Sequence, residues 1–321
     1  MIIRALWDRS IYRMSKELVI IAGPTAVGKS AVSIALAKRI GGEVISADSM
    51  QVYHKMDIGS AKLCHDEMQG IRHHLIDILE PTGDFNVSVF RDKAETAVKD
   101  IQGRGALPII CGGTGFYIQA LLYGIDFAEG ETDATLRGSL EKEAEAIGTE
   151  AMEERLRGFD PVSADIYHGN LKRIIRAIEY HELTGRLMSD KNAEERLREP
   201  VYDAAYFVLT MPRDMLYEKI DKRVDLMMEQ GLVEEVKSLI DMGVTRNMTS
   251  MQGLGYRQIY DHLNGEYDLD TAVSEIKKQT RHFAKRQITW FKREKNVTWI
   301  DVTKYNTADE IAEYMAEVIN G

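Results

Sequence analysis

The stretch "AGPTAVGKS" at residues 22–30 constrains the fold of this chain more than any other. Gly23, Gly28, Lys29 and Ser30 occupy every required position of G-x-x-x-x-G-K-[ST], with Pro24, Thr25, Ala26 and Val27 between them. In such a loop the backbone N–H groups turn inward around phosphate oxygens, the lysine reaches the outer phosphates, and the serine hydroxyl is offered to Mg²⁺. The apolar run Leu18 to Ile21 precedes it and a helix-like pattern begins near Lys29, which is the strand–loop–helix setting the motif needs. The start of that helix adds the positive end of its dipole. The loop recognises a diphosphate and reads neither base nor sugar, so ATP is only the default occupant.

The rest of the chain repeats the design. "GGEVISADSMQVY" predicts a short strand, Glu43 to Ser46, that delivers Asp48, Ser49, Met50 and Gln51 at its carboxyl end, where open α/β sheets bind ligands. "ALPIICGGTGFYIQALLYG" predicts a strand over 106–111, a glycine turn over 112–115 and a helix from about Phe116. Strands alternating with helices imply an α/β fold: a P-loop NTPase-like parallel sheet flanked by helices. From 128 to 200 the strand signals fade into charged helical sequence, predicting a helical insertion domain between two parts of the core domain, 17–127 and 201–321. Within the second part, a strand is expected over 204–211, helices over 214–229 and 231–242, and a last strand over 297–302 before a helix ending near Ile319. Residues 1–16 read as a flexible leader, with Met14 an alternative start.

Composition removes several function classes. The two cysteines, Cys64 and Cys111, form no C-x-x-C pair, so neither a disulfide framework nor a cysteine zinc site is indicated. Cys111, in the apolar run "LPIIC", reads as inert core. No apolar stretch approaches a membrane span, and the first residues lack the uninterrupted apolar run of a signal peptide, so a cytoplasmic protein without a membrane partner is expected. The net charge of −10 argues against a nucleic-acid partner, but the charge is segregated. Residues 281–295 carry six Lys/Arg against one Glu, interleaved with Phe283, Trp290 and Phe291. That segment reads either as a solvated helix covering a core edge or as a nucleic-acid contact.

Individual candidates carry a bland alternative each. Asp48 is a turn former or a catalytic carboxylate beyond a strand end. Thr114 is a turn residue or a phosphate ligand. Lys172, Arg173 and Arg176 line one side of a helix and are either solvated or gripping backbone phosphates. Arg223 is ambiguous. His73 and His74 are adjacent, point to opposite faces of a strand and have no acid partner at metal spacing, so they read as structural.

Taken together, "AGPTAVGKS", "ISADSMQVY", "DIGSAK", "HHLIDI", "GGTGFYIQALLYG", "MQGLGYRQI" and "AKRQITWFK" resemble the tRNA dimethylallyltransferases, also called tRNA isopentenyltransferases, in order from residue 17 to about 300. The resemblance implies transfer of a dimethylallyl group from dimethylallyl diphosphate to N6 of the adenosine adjacent, on the 3′ side, to the anticodon of tRNA. The loop from Gly23 to Ser30 would then hold a leaving diphosphate, and no phosphoryl group would move. On the matching positions Asp48 becomes the general base, while Lys29, Ser30 with Mg²⁺, Thr114 and Arg223 steady the diphosphate. Contacts to tRNA are implied for Asp48, Ser49, Met50, Gln51, Lys172, Arg173, Arg176, Gln252, Gly255, Tyr256, Arg257, Lys285, Arg286, Gln287, Trp290 and Lys292. Arg137 is carried over through a loosely aligned segment. The lack of a cysteine-histidine zinc module points to a bacterial-type enzyme, and a monomer is expected.

Two rivals stand beside this. A small-molecule or nucleoside kinase would use the same loop, with Asp48 as base toward a hydroxyl, but does not require the basic aromatic segment or the blocks after residue 250. A nucleotide-switched RNA-binding module would bind GTP or ATP and make no product.

Overall fold

The computed structural model describes residues 16–125 and 133–321. All but the last residue of the expected leader, and the expected start of the insertion at 128, lie outside the described residues. The chain runs β1 (Leu18–Ala22), α1 (Lys29–Ile40), β2 (Gly42–Ala47), β3 (His73–His74), α2 (Val87–Gly103), β4 (Leu107–Gly112) and α3 (Gly115–Leu122). Four helices follow: α4 (Ala134–Arg157), α5 (Pro161–Tyr167), α6 (Leu171–Thr184) and α7 (Met188–Arg196). It then continues through β5 (Ala204–Thr210), α8 (Arg213–Glu229), α9 (Leu232–Asp241), α10 (Tyr256–Leu263), α11 (Leu269–Phe291), β6 (Val297–Asp301) and α12 (Ala308–Asn320). Two compact units result, one of residues up to 122 with 202–321, the other of residues 123–201.

In the first unit six parallel strands lie in the order β3-β2-β4-β1-β5-β6. β1 is central, pairing Ile20 with Ile110 of β4 on one side and with Tyr206 of β5 on the other. All five of its residues are buried, as expected of a parallel strand covered on both faces. α1 and α12 share one core with the sheet, Val32 and Leu36 joining Ile311, Met315 and Ile319. Because every strand runs the same way, the residues after β1, β2 and β4 converge at one edge of the sheet. That edge is where the chemistry-bearing loops collect.

α2 has no counterpart among the elements expected from sequence, although its signal is present. Phe90, Ala94, Ala97, Val98 and Ile101 recur at helical spacing and are buried, and the Asn86 side chain caps the first turn by accepting from Val89 N at 3.0 Å.

The second unit is helical. Leu140, Met152, Leu156, Ile174, Ile178 and Tyr180 form its core. α4 is interrupted at Gly148, whose φ of 84° breaks it into two pieces. Glu179 of α6 is fully buried, where its carboxylate takes Arg137 Nη2 at 2.6 Å, Arg176 Nη1 at 3.1 Å and the Asp133 amide at 2.9 Å. Burial alone would raise the Glu179 carboxyl; those three donors outweigh it and hold it below its ordinary value.

Candidate active site

The loop after β1 is built as its spacing requires. Gly28 sits at φ 104°, a left-handed conformation that hands the chain into α1 with an open space where a side chain would stand. Lys29 folds back so that its Nζ donates to Pro24 O at 2.8 Å. Ser30 follows on the first turn of α1, and both residues face a cavity of about 330 Å³. Ser46 near the end of β2, with Asp48 and Gln51 beyond it, supplies one wall; Gly112 at the end of β4, with Gly113 beyond it, supplies another. Arg223 of α8 and Phe283 and Gln287 of α11 close it.

Two half-buried cations, Lys29 and Arg223, therefore share the cavity with one carboxylate. Burial pulls the Lys29 ammonium from 10.5 down to about 8, with Arg223 adding to the fall and Asp48 opposing it. Burial likewise lowers Arg223, again opposed by Asp48, and its Nη1 reaches Thr25 Oγ1 at 3.4 Å. Such a pair lacks the negative charge that a diphosphate brings. Asp48 Oδ1 accepts from the Met50 amide at 2.8 Å and the Gln51 amide at 3.3 Å, which fixes the carboxylate. Its Oδ2 carries no hydrogen bond among the described residues and is the oxygen left to take a proton.

Cys111 packs against the core of the sheet and also lines this cavity, and burial pushes its thiol up, so it stays a neutral, unreactive thiol at neutral pH. His73 also lies in the wall; burial lowers it, and its Nδ1 meets Ile71 O at 2.9 Å. His74 Nε2 instead meets Glu43 at 2.7 Å, in a cluster with Arg104. No group of three metal-ligating side chains occurs among the described residues. A metal here would thus rest on the Ser30 hydroxyl and on oxygens brought by substrate and water, which suits Mg²⁺ and its preference for phosphate and water ligands.

Thr114 lies one residue past the cavity wall, its amide donating to Ala47 O at 3.3 Å. Ser49 and Met50 are half-buried, and a Cβ at Gly253 would come 2.8 Å from Met50 Sδ, so the loop after β2 packs on the loop before α10. Gln252 is exposed with its amide donating to Arg246 O at 2.8 Å, Gly255 turns the chain into α10 at φ 93°, and Arg257 is half-buried. Lys285 and Arg286 are exposed on α11 and Lys292 is exposed just past its end, whereas Arg281 in the same basic segment is bonded to Asp221 at 2.6 Å. In the helical unit Lys172 and Arg173 are exposed, while Arg137 and Arg176 are both engaged by Glu179.

Three residues expected to face RNA have their side chains committed inside the protein. Tyr256 is fully buried, its hydroxyl donating to Glu235 at 2.7 Å and accepting from the Ser60 amide at 3.1 Å. Gln287 is buried and joins two loops: its Oε1 accepts from the Thr25 amide at 2.9 Å and its Nε2 donates to Gly113 O at 2.9 Å. A Cβ at Gly113 would stand 2.2 Å from that Nε2, so only glycine permits the bridge. Trp290 packs on α3, where a Cβ at Gly115 would meet its ring at 2.2 Å and Phe116 lies edge-on at 6.2 Å. All three were indistinguishable by sequence from their exposed neighbours.

Against known proteins, residues 51–294 match the family model for IPP transferase. The chain belongs to the IPP transferase family. It is 51% identical to the tRNA dimethylallyltransferase of Lachnoclostridium phytofermentans over 305 residues, covering 95% of this chain and 97% of that one. Its structure is similar to the full-length tRNA isopentenylpyrophosphate transferase of Bacillus halodurans, with a TM-score of 0.72 and 42% identity over 95% of this chain and 97% of that one. It is also similar to a eukaryotic dimethylallyltransferase crystallised acting on tRNA, at a TM-score of 0.77 and 28% identity over 94% of this chain and 76% of that one. The cavity of this IPP transferase family member is thus a P-loop site in which the loop faces a carboxylate.

Proposed function

We propose that this chain transfers the dimethylallyl group of dimethylallyl diphosphate to N6 of the adenosine on the 3′ side of the anticodon in tRNA, releasing diphosphate. The observation that carries it is that half-buried Lys29 and Arg223 line one cavity together with Asp48 in a member of this family. The C1–O bond of the donor breaks and its electron pair leaves with the diphosphate. A C1–N6 bond forms, and the amine proton passes to Asp48 Oδ2. The adenine amine is a poor nucleophile, so the base and the neutralised leaving group act together.

Each side chain has a physical task in that scheme. The loop amides, Lys29 and Arg223 receive the charge that develops on the departing diphosphate, in surroundings dry enough to strengthen them. Prenyl transfer from a diphosphate generally draws on a divalent metal; Mg²⁺ held by Ser30 and the diphosphate would neutralise further charge on the leaving group. Thr114, at the rim beside Gly113, is assigned to the same diphosphate. Phe283 and Gln287 close one end of the cavity and exclude water that would otherwise capture an allylic cation. A stacked anticodon base cannot reach Asp48, so the target adenine is flipped into the cavity.

Asp48 to Gln51, Gln252, Gly255, Arg257, and Lys285, Arg286 and Lys292 are assigned to tRNA within the core. Lys172 and Arg173 are assigned to it on the helical segment, read as an insertion domain in a discontinuous core. The enzyme is proposed to be a cytoplasmic monomer; no helix among the described residues is long and apolar enough to cross a membrane. Diphosphate release from the donor should require unmodified tRNA. Release at the same rate without tRNA, or phosphate release from ATP instead, would refute the assignment.

A further inference from the structure

Four consecutive backbone N–H groups, those of Asp57, Ile58, Gly59 and Ser60, converge on one side-chain cluster far away in sequence. Glu235, on the first turn of α9, accepts the Asp57 amide at 2.9 Å and the Ile58 amide at 2.8 Å on Oε2, and the Gly59 amide at 3.1 Å on Oε1. Its Oε1 also accepts the Tyr256 hydroxyl at 2.7 Å, and that hydroxyl takes the Ser60 amide at 3.1 Å. A Cβ at Gly59 would stand 2.6 Å from the Tyr256 ring, so the loop is pressed against the phenol with no room for a side chain. Successive N–H groups turned to one point make an anion-binding concavity, and here a carboxylate of the chain itself fills it.

The loop so held leads directly to the reacting side of the cavity. Ser60 and Ala61 line it. Ser60 O accepts Gln51 Nε2 at 3.3 Å, Gln51 Oε1 takes Ser46 Oγ at 2.9 Å, and the Gln51 amide donates to Asp48 Oδ1 at 3.3 Å. Lys62 fastens the far end of the loop, its Nζ reaching Tyr53 O at 2.7 Å, Asp57 at 2.7 Å and Asp77 at 2.6 Å.

We propose that Glu235 is a positioning residue for prenyl transfer: its carboxylate takes amides 57–59 and, through the Tyr256 hydroxyl, holds that of Ser60, and thereby sets, through Ser60 and Gln51, where Asp48 stands. This rests on the function given above. Glu235 touches no reacting atom, and the diphosphate loop is held by Gln287 instead, so the two halves of the site are supported separately.

The test is Glu235→Ala with and without formate, in wild-type and variant full-length protein, using dimethylallyl diphosphate and unmodified tRNA. Glu235 is half-buried, so a small anion can reach the vacated nest. The variant should lose kcat by about tenfold or more, as a displaced base does, while its Kd for the donor stays within about twofold of wild type. Hydrogen exchange of amides 57–60 should accelerate, and formate should restore both protection and most of the turnover. Tyr256→Phe keeps the packed ring, should expose the Ser60 amide alone, and should gain nothing from formate; it also serves if Glu235→Ala does not fold. Unchanged kcat in Glu235→Ala, a loss that formate does not reverse, or formate rescue of Tyr256→Phe overturns the proposal. Wild-type protein that makes no prenylated tRNA would instead overturn the function, while the exchange of amides 57–60 would still decide the nest.

Discussion

Raising the pH should remove the donor from this enzyme through one residue. Lys29 falls from 10.5 to about 8 chiefly because its ammonium is buried, a change worth ~3 kcal/mol of unfavourable charge burial. Diphosphate offsets that cost, so bound donor favours the protonated lysine and raises it again. The sign follows: affinity is at its plateau well below 8, where Lys29 is charged before the donor arrives, and declines as the pH rises through about 8 because a proton must be taken up on binding. With half of the lysines neutral at about 8, only about a tenth remain charged one pH unit higher, so Kd for dimethylallyl diphosphate should weaken about tenfold by pH 9. Calorimetric titration from pH 6.5 to 9.5 in buffers of different ionisation enthalpy reads both quantities, and about half a proton should be absorbed per donor at pH 8. Lys29→Arg remains charged throughout and should lose the basic limb whatever its absolute affinity. Constant affinity across the range, or binding without proton uptake, would refute the placement of Lys29 against the diphosphate.

Other substitutions separate the parts of the site. Asp48→Ala should lower kcat by about 10²–10⁴-fold in single-turnover assays while tRNA affinity stays within a few-fold; full activity would remove Asp48 from the mechanism. Gln287→Met breaks the bridge between Thr25 and Gly113 and should raise KM for the donor by about tenfold with tRNA Kd unchanged, whereas a loss confined to tRNA affinity would return Gln287 to the RNA surface. In the helical unit, Glu179→Leu leaves Arg137 and Arg176 without their shared carboxylate; since both arginines are about a third or more exposed, the cost is discounted to roughly 1–2 kcal/mol, read as a lower denaturant midpoint. Because Glu179 is held below its ordinary value, wild type should keep that contribution above the unfolded carboxyl range and lose it as the pH falls through the lowered one; acid unfolding of wild type and variant should therefore converge. Affinity for tRNA should fall steeply with salt despite the net charge of −10, as the proposed contacts of exposed Lys285, Arg286 and Lys292 to tRNA phosphates require.

The parallel sheet and the P-loop were legible because their signals are local. Leu18 to Ala22 is a continuous apolar run, and Gly28 and Lys29 carry spacing that only a few conformations satisfy. Strand ends moved by a residue or so, as at Thr210, where Pro212 had suggested one more. What sequence could not give is which side of a helix is spent internally. Gln287 and Lys285 lie two residues apart in one basic motif, yet one bonds Thr25 across 262 positions and the other is exposed. Glu235 left no signal at all, because its partners are backbone amides 176 to 178 positions away. The blocks "DIGSAK" and "MQGLGYRQI" were visible as motifs, but the carboxylate that ties them together belongs to neither.

The central claim is that the P-loop holds a diphosphate that leaves while a carbon fragment stays on RNA. Mass spectrometry of nuclease-digested tRNA, after incubation with the enzyme, Mg²⁺, dimethylallyl diphosphate and γ-labelled ATP together, tests it most directly. The account predicts a five-carbon addition on the adenosine 3′ of the anticodon and label remaining in ATP. Label transferred to any acceptor, with no such addition to tRNA, would contradict it.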